Sequence, residues 1–175
     1  MSTTNPSPTL RVLFSAEAIR ERVIALAQRI TEDYAGRELD VVCLINGAST
    51  FCADLVRHLG VNVRQHYLGF TSYPTAPQSG EVRFTLDVAE SLEGRHVLVV
   101  EGVVVSGRTP NFVVESLRLR RPASIEMCAL AIKPASLAVT LAVKYAAFEL
   151  GSEIAVGYGV GKGPERALPY LADSK

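Results

Sequence analysis

The chain has 175 residues, and its 18 Lys and Arg balance 18 Asp and Glu, so the formal net charge is zero. That length suits one domain with a sizeable core, and a hydrophobic fraction of 48% excludes a disordered chain, which needs few apolar residues and a high net charge. A zero sum supplies no broad field toward nucleic acid or anionic lipid, so neither is an expected partner.

No apolar run approaches the roughly 18 residues that a membrane-spanning helix needs. Residues 1–9 are polar, contain two prolines and lack an apolar leader core, so they are expected to form a short flexible tail before a single domain over residues 10–175. Cys43, Cys52 and Cys128 are odd in number, lack metal-ligand spacing and lie in apolar stretches. They read as buried free thiols of a reducing compartment, which places the protein in the cytoplasm. His58, His66 and His96 are scattered, so no metal cluster is expected.

Ser15 is a helix N-cap, and Ile19, Val23, Leu26 and Ile30 recur on one face, predicting an amphipathic helix over residues 16–34. The run Val41-Val42-Cys43-Leu44-Ile45 is a strand buried on both faces, and Asn46-Gly47-Ala48 makes a turn. A second helix follows with Phe51, Leu55 and Leu59 on one face and Gly60 as its stop. Residues 61–70 read as a strand and 71–80 as a mobile loop. Val82, Phe84, Leu86 and Val88 alternate as in a half-exposed strand, and residues 96–100 form a buried one. Thr109 followed by Pro110 predicts a helix start, with Thr as N-cap and Pro at the first helical position. Residues 125–132, 145–149 and 155–158 are further strands. Buried strands alternating with helices predict an α/β fold with a mainly parallel sheet, whose ligands sit at the carboxyl ends of the strands.

One stretch combines such a strand end with phosphate chemistry: VLVVEGVVVSGRT, residues 97–109. Backbone N–H groups at a helix N-terminus are unsatisfied and favour negative charge. Gly107 lets the backbone approach an anion, Ser106 and Thr109 add hydroxyls, and Arg108 adds a cation. Together these four residues form a cradle for a phosphate.

Several words of the sequence, in order, extend this reading. They are ITEDYAGRELDVVCLINGASTFCADLVR, then TSY near SGEVRF, then VLVVEGVVVSGRT, LAIKP, and FEL with VGYGVGKGPERALPY. Over about residues 12–171 the chain resembles the hypoxanthine-guanine phosphoribosyltransferases. The resemblance implies a type I phosphoribosyltransferase fold, with a mainly parallel sheet flanked by helices and a small hood from the terminal segments. It implies a homodimer or homotetramer. The family joins a 6-oxopurine to phosphoribosyl diphosphate, with magnesium on the diphosphate, and releases a nucleoside monophosphate.

Carried over position by position, the family pattern is only partly kept. Ser106, Gly107, Arg108 and Thr109 match the 5′-phosphate cradle. On the ribose and metal side Glu101 keeps the first of two acids, and Gly102 replaces the second. Val105 stands at the general-base position and has no lone pair to accept a proton; such assistance is worth about 10² to 10⁴ in rate. In the diphosphate loop Asn46 replaces the usual cation before Gly47. Ser72 and Tyr73 match the mobile-loop pair that closes over the reacting centre, with Pro74 in place of a glycine. Lys133 matches the lysine that reads the purine 6-oxygen, and Ile154, followed by Ala155, stands where an aromatic ring covers the base. Arg166 matches an arginine that meets diphosphate, whereas Gly161 replaces a metal-binding aspartate. Three acids and one base are thus lost, moving the local formal charge by about two units toward positive.

The sequence therefore carries two main expectations. The first is a protein that binds a purine nucleoside monophosphate or a related 5′-phosphate, with ordinary transferase activity weak or absent and no catalytic residue or metal site assigned. The alternative is an active salvage enzyme for hypoxanthine or guanine with an altered mechanism or substrate, for which Mg2+ would be retained and phosphoribosyl diphosphate would be a ligand. A structural protein without a ligand is a third reading, which the kept cradle opposes. Restoring acids through Gly102→Asp and Val105→Asp is expected to raise any transferase activity.

Overall fold

The computed structural model describes residues 10–73 and 81–174, so the expected tail over 1–9 and most of the expected loop over 71–80 lie outside the described residues. Nine strands and three helices follow in chain order. They are β1 (Arg11–Phe14), α1 (Ala16–Asp33), β2 (Leu39–Ile45), α2 (Ser49–Val56), β3 (Val63–Tyr73), β4 (Glu81–Leu86), β5 (His96–Val104), α3 (Arg108–Arg118), β6 (Ser124–Ile132), β7 (Tyr145–Glu149), β8 (Ala155–Val156) and β9 (Leu171–Asp173). Short 3₁₀ turns lie at Pro134–Ser136 and Pro164–Ala167.

Six strands form one sheet in the order β4-β3-β2-β5-β6-β7. Within it β3, β2, β5, β6 and β7 run parallel, and β4 joins β3 antiparallel. Strand periodicity distributes β2 between two cores. Val41 and Cys43 pack with Ile19, Val23 and Ile30 of α1 and Phe51 and Leu55 of α2. Val42 and Leu44 pack on the other face with Val113, Val114 and Leu117 of α3. Helices on both faces explain why β2 is apolar without alternation. A separate antiparallel sheet, β1-β9-β8, builds the hood from segments near both ends of the sequence. This is the type I phosphoribosyltransferase arrangement.

The cap of α1 follows its prediction: Ser15 Oγ accepts from the Ala18 N–H at 3.2 Å. The three cysteines are buried and free. Several boundaries differ from expectation. Helix α2 stops at Val56, before Leu59, and Gly60 is no helix stop. Its N–H instead donates to Thr31 Oγ1 at 2.9 Å, and a β-carbon there would lie 2.9 Å from Thr31 Cγ2, so a glycine is set by the approach of α1. Strand β3 runs on to Tyr73 because Thr71, Ser72 and Tyr73 pair with Arg83, Val82 and Glu81, and ladder pairing overrides local loop composition. Strand β4 ends at Leu86 without Val88, and β5 extends to Val104. Strand β8 ends at Val156, since Gly157 and Tyr158 take φ of 103° and 49°. Helix α3 begins at Arg108 with Gly107 as N-cap, two residues ahead of the predicted Thr109 cap. The short hood strands β1 and β9 were not predicted.

Candidate functional site

The cleft forms where β2, β5 and β6 end. Strand β5 hands over to a turn pinned from the neighbouring strand's exit: Lys133 N–H donates to Val104 O at 2.9 Å, and Ala138 N–H to Ser106 O at 2.9 Å. Gly107 takes φ of 74° and has no side chain with which to cap α3. The Arg108 N–H donates to Ser106 Oγ at 3.5 Å and Pro110 has no N–H, so the first turn of α3 presents the Thr109 N–H beside the exposed Arg108 side chain and the partly exposed Ser106 and Thr109. A residue with a β-carbon at 107 would be disfavoured in this left-handed conformation and would press on Leu137 and Val139 at 3.1 and 3.2 Å. The cradle residues are thus contiguous in space as well as in sequence. Val105, immediately before them, is 46% exposed.

On the base side, the Lys133 ammonium donates to the carbonyl of Glu153, which places Lys133 next to Ile154. Ile154 is 52% exposed. Its backbone is fixed by the hood, with its N–H donating to Asp173 Oδ1 at 3.0 Å and its carbonyl accepting from Ser174 N–H at 3.0 Å. Ala155 pairs with Asp173 in the β8–β9 ladder.

The third part of the cleft is the loop joining β2 to α2. Its Ile45–Asn46 peptide is cis. The Asn46 carbonyl accepts from Ser49 N–H, Ser49 Oγ and Arg166 Nη2 at 3.3, 3.1 and 3.4 Å. Arg166 Nε also donates to Gly159 O at 3.0 Å. Under the loop lies the end of β5. A β-carbon on Gly102 would stand 2.5 Å from Gly47 O, a distance at which backbone has to move. Glu101 Oε1 accepts from the Gly102 N–H at 2.7 Å and lies 3.8 Å from the place of a Gly47 β-carbon. Burial pushes the Glu101 carboxyl up to about 7, against the smaller opposing effect of that hydrogen bond.

The three positions expected to have lost an acid therefore differ in kind. Gly102 is held by close approach. Gly161 takes φ of 89°, and a β-carbon there would meet Val156 Cγ1 at 2.9 Å, so the local fold also favours glycine. Val105 is exposed and has no such constraint. Magnesium would find Glu101, whose carboxyl burial raises, at the end of β5. No group of three or more His, Cys, Asp or Glu able to hold a metal occurs among the described residues. These residues do not fit a metal held by the protein.

Asn46, Gly47, Glu101, Gly102, Arg166 and the cradle meet around the strand ends, and Lys133, Ile154 and Ala155 meet under the hood. Ser72 and Tyr73 lie in the β3 ladder, and their side chains are outside the described residues, as is Pro74. Sequence reasoning passed over Gly159, whose β-carbon would lie 2.7 Å from Thr50 Oγ1, although the glycine-rich run GYGVGKG was visible. A separate cavity of about 420 Å³ lies between α1, α2 and the hood, lined by Arg20, Asp54, Arg57, His58 and Tyr158, and contains none of the predicted site residues.

A parallel sheet whose β5 leads through a glycine turn into α3, under a hood built from segments near both ends, defines the phosphoribosyltransferase class. The sequence model described as "Phosphoribosyl transferase domain" matches residues 13–161. The chain belongs to the hypoxanthine-guanine phosphoribosyltransferase family. It is 36% identical over 170 residues to the hypoxanthine-guanine phosphoribosyltransferase of Dictyostelium discoideum, covering 94% of each chain. It is 32% identical over 163 residues to the "Bifunctional protein TilS/HprT" of Listeria innocua, covering 92% of this chain but 25% of that protein. The chain thus spans about a quarter of the length of that bifunctional relative. Its fold superimposes with a TM-score of 0.90 on a solved Trypanosoma cruzi hypoxanthine phosphoribosyl transferase described in terms of its C-terminal region, oligomeric state and activity, at 30% identity and covering 99% and 95% of the two chains.

Proposed function

We propose that the protein binds a purine nucleoside monophosphate, or a related 5′-phosphate, and that ordinary phosphoribosyl transfer is weak or absent. The 5′-phosphate lies in the cradle Ser106, Gly107, Arg108 and Thr109, and the base lies between Lys133 and Ile154. The observation that carries this reading is the pairing of a cradle whose N-cap, Gly107, has no side chain to cap α3 with Val105, an exposed valine directly beside it. Positioning survives where the proton acceptor does not. The test is calorimetric titration of the full chain with inosine and guanosine monophosphates, beside assays of nucleotide formation from hypoxanthine, guanine and xanthine. Micromolar binding without turnover supports the reading; turnover at a rate typical of enzymes overturns it.

An active salvage enzyme is the second reading. The relatives named as hypoxanthine-guanine phosphoribosyltransferases support it, as does Glu101, a carboxyl that titrates near neutral pH at the strand end that carries Val105. Cytoplasmic location and assembly as a homodimer or homotetramer belong to both readings. No helix among the described residues is long and apolar enough to cross a membrane.

A further inference from the structure

We propose that the chain itself closes the diphosphate half of the cleft, so that the site takes 5′-monophosphates and binds phosphoribosyl diphosphate no better than ribose 5-phosphate. This rests on the monophosphate reading above and specifies its ligand class.

Three sides of that half are occupied. The floor is Gly102, whose missing β-carbon lets Gly47 O settle onto β5; the loop fills the volume that an acidic side chain at 102 would take. Two of the loop's main-chain donors are turned inward: Ala48 N–H donates to Leu44 O at 3.2 Å and Ser49 N–H to Asn46 O at 3.3 Å. The roof is the hood segment. Gly159 lies over the start of α2, where its β-carbon would sit 2.7 Å from Thr50 Oγ1 and 3.6 Å from Thr50 N. Arg166 fastens the roof to the loop by bonding Gly159 O and Asn46 O, which commits its guanidinium to two main-chain carbonyls.

The chemistry of this half also disfavours a diphosphate. The carbonyls of Asn46 and Gly159 take up the Arg166 guanidinium, and the Gly47 carbonyl and the Glu101 carboxyl add acceptors rather than donors. Asn46 supplies no cation of its own, and the Arg166 guanidinium is already bonded to two main-chain carbonyls. Acceptors facing a polyanion disfavour it unless a cation stands between them. The cradle beyond Val105 has the opposite character, with the Thr109 N–H, hydroxyls and the exposed Arg108. One ligand phosphate is welcomed and a second, at the ribose C1 side, is not.

Calorimetry on the full chain tests this with inosine monophosphate, ribose 5-phosphate, phosphoribosyl diphosphate and inorganic pyrophosphate, each with and without magnesium. The expected result is binding of the monophosphate, no signal from pyrophosphate, and affinities for phosphoribosyl diphosphate and ribose 5-phosphate within about threefold of each other. Gly102→Ala must push the loop off β5, and is expected to raise the preference for phosphoribosyl diphosphate over ribose 5-phosphate by about tenfold. If the wild-type chain binds the monophosphate and also prefers phosphoribosyl diphosphate by more than about tenfold, or if folded Gly102→Ala shows no change in the ratio, the closure is overturned while the monophosphate reading stands. If neither the monophosphate nor ribose 5-phosphate binds, the monophosphate reading itself falls, and the closure with it.

Discussion

The carbonyl oxygen of Gly47 lies 2.5 Å from the point that a β-carbon would occupy on Gly102, so the diphosphate loop and the end of β5 fit together only with glycine at 102. This changes the expectation for the acid-restoring variants. Gly102→Asp has to displace main chain and is expected to destabilise the fold by about 1–3 kcal/mol. Val105→Asp, at an exposed position, is expected to leave stability within about 0.5 kcal/mol. Val105→Asp alone leaves transfer at baseline because the loop remains closed, and gain appears only in the double variant. Urea unfolding and inosine monophosphate formation from hypoxanthine check both halves of this expectation.

Glu101 gives a prediction in pH. Burial raises its carboxyl from the usual 4.5 to about 7 in the folded chain. Between those values the folded state holds a proton that the unfolded state has released, so stability falls as pH rises from about 4.5 to 7 and levels above it. Glu101→Gln keeps an acceptor for the Gly102 N–H and carries no charge. It is expected to match the parent near pH 4.5 and to exceed it above pH 7 by on the order of 3 kcal/mol. Denaturation midpoints across that range decide; a constant difference would contradict the titration.

Gly107 joins stability to binding. Gly107→Ala places a methyl in a left-handed conformation against Leu137 and Val139, at a cost of about 1–2 kcal/mol. The same change narrows the approach of a phosphate to the α3 N-terminus. A drop in monophosphate affinity of about tenfold or more is expected, together with a lowered melting temperature.

Lys133 is expected to set base preference. Its ammonium is held at the Glu153 carbonyl, next to Ile154. Lys133→Met is expected to weaken inosine monophosphate about tenfold and adenosine monophosphate much less, because only the former offers a 6-oxygen acceptor. Parallel titration of the two nucleotides measures the ratio.

Asp40 tests the far end of the sheet, away from the cleft. It is 1% exposed, and its two oxygens accept from His66 Nε2 and Arg95 Nε at 2.7 Å each. Asp40→Ala leaves the buried His66 and the partly buried Arg95 without this acceptor and is expected to cost about 3–5 kcal/mol, read from urea unfolding.

The turn that joins β5 to α3 at residues 106–109 was legible in the sequence because its residues are consecutive and Gly107 marks it. Helix α1 was legible because Ile19, Val23, Leu26 and Ile30 keep one period and Ser15 caps them. The start of α3 was misplaced because Thr109-Pro110 is a strong local signal, and the left-handed turn at Gly107 overrides it. The meaning of Gly102 was hidden. It read as a lost acid, whereas its contact with Gly47 joins segments far apart in sequence and leaves no local trace. The hood strands were missed for the same reason: β1 and β9 are short, and their pairing spans nearly the whole sequence.

Arg11 Nη2 reaches Asp173 Oδ2 at 3.1 Å, across 162 positions of sequence. Contacts so distant form late, because the intervening chain must be ordered before they repay its entropy. The parallel sheet and the phosphate turn need only residues made earlier in synthesis. The support behind Ile154 needs Asp173 and Ser174. A nascent chain thus completes the turn at Gly107 before the backbone behind Ile154 is fixed. On the proposed reading, any preference among purines is completed after the phosphate site.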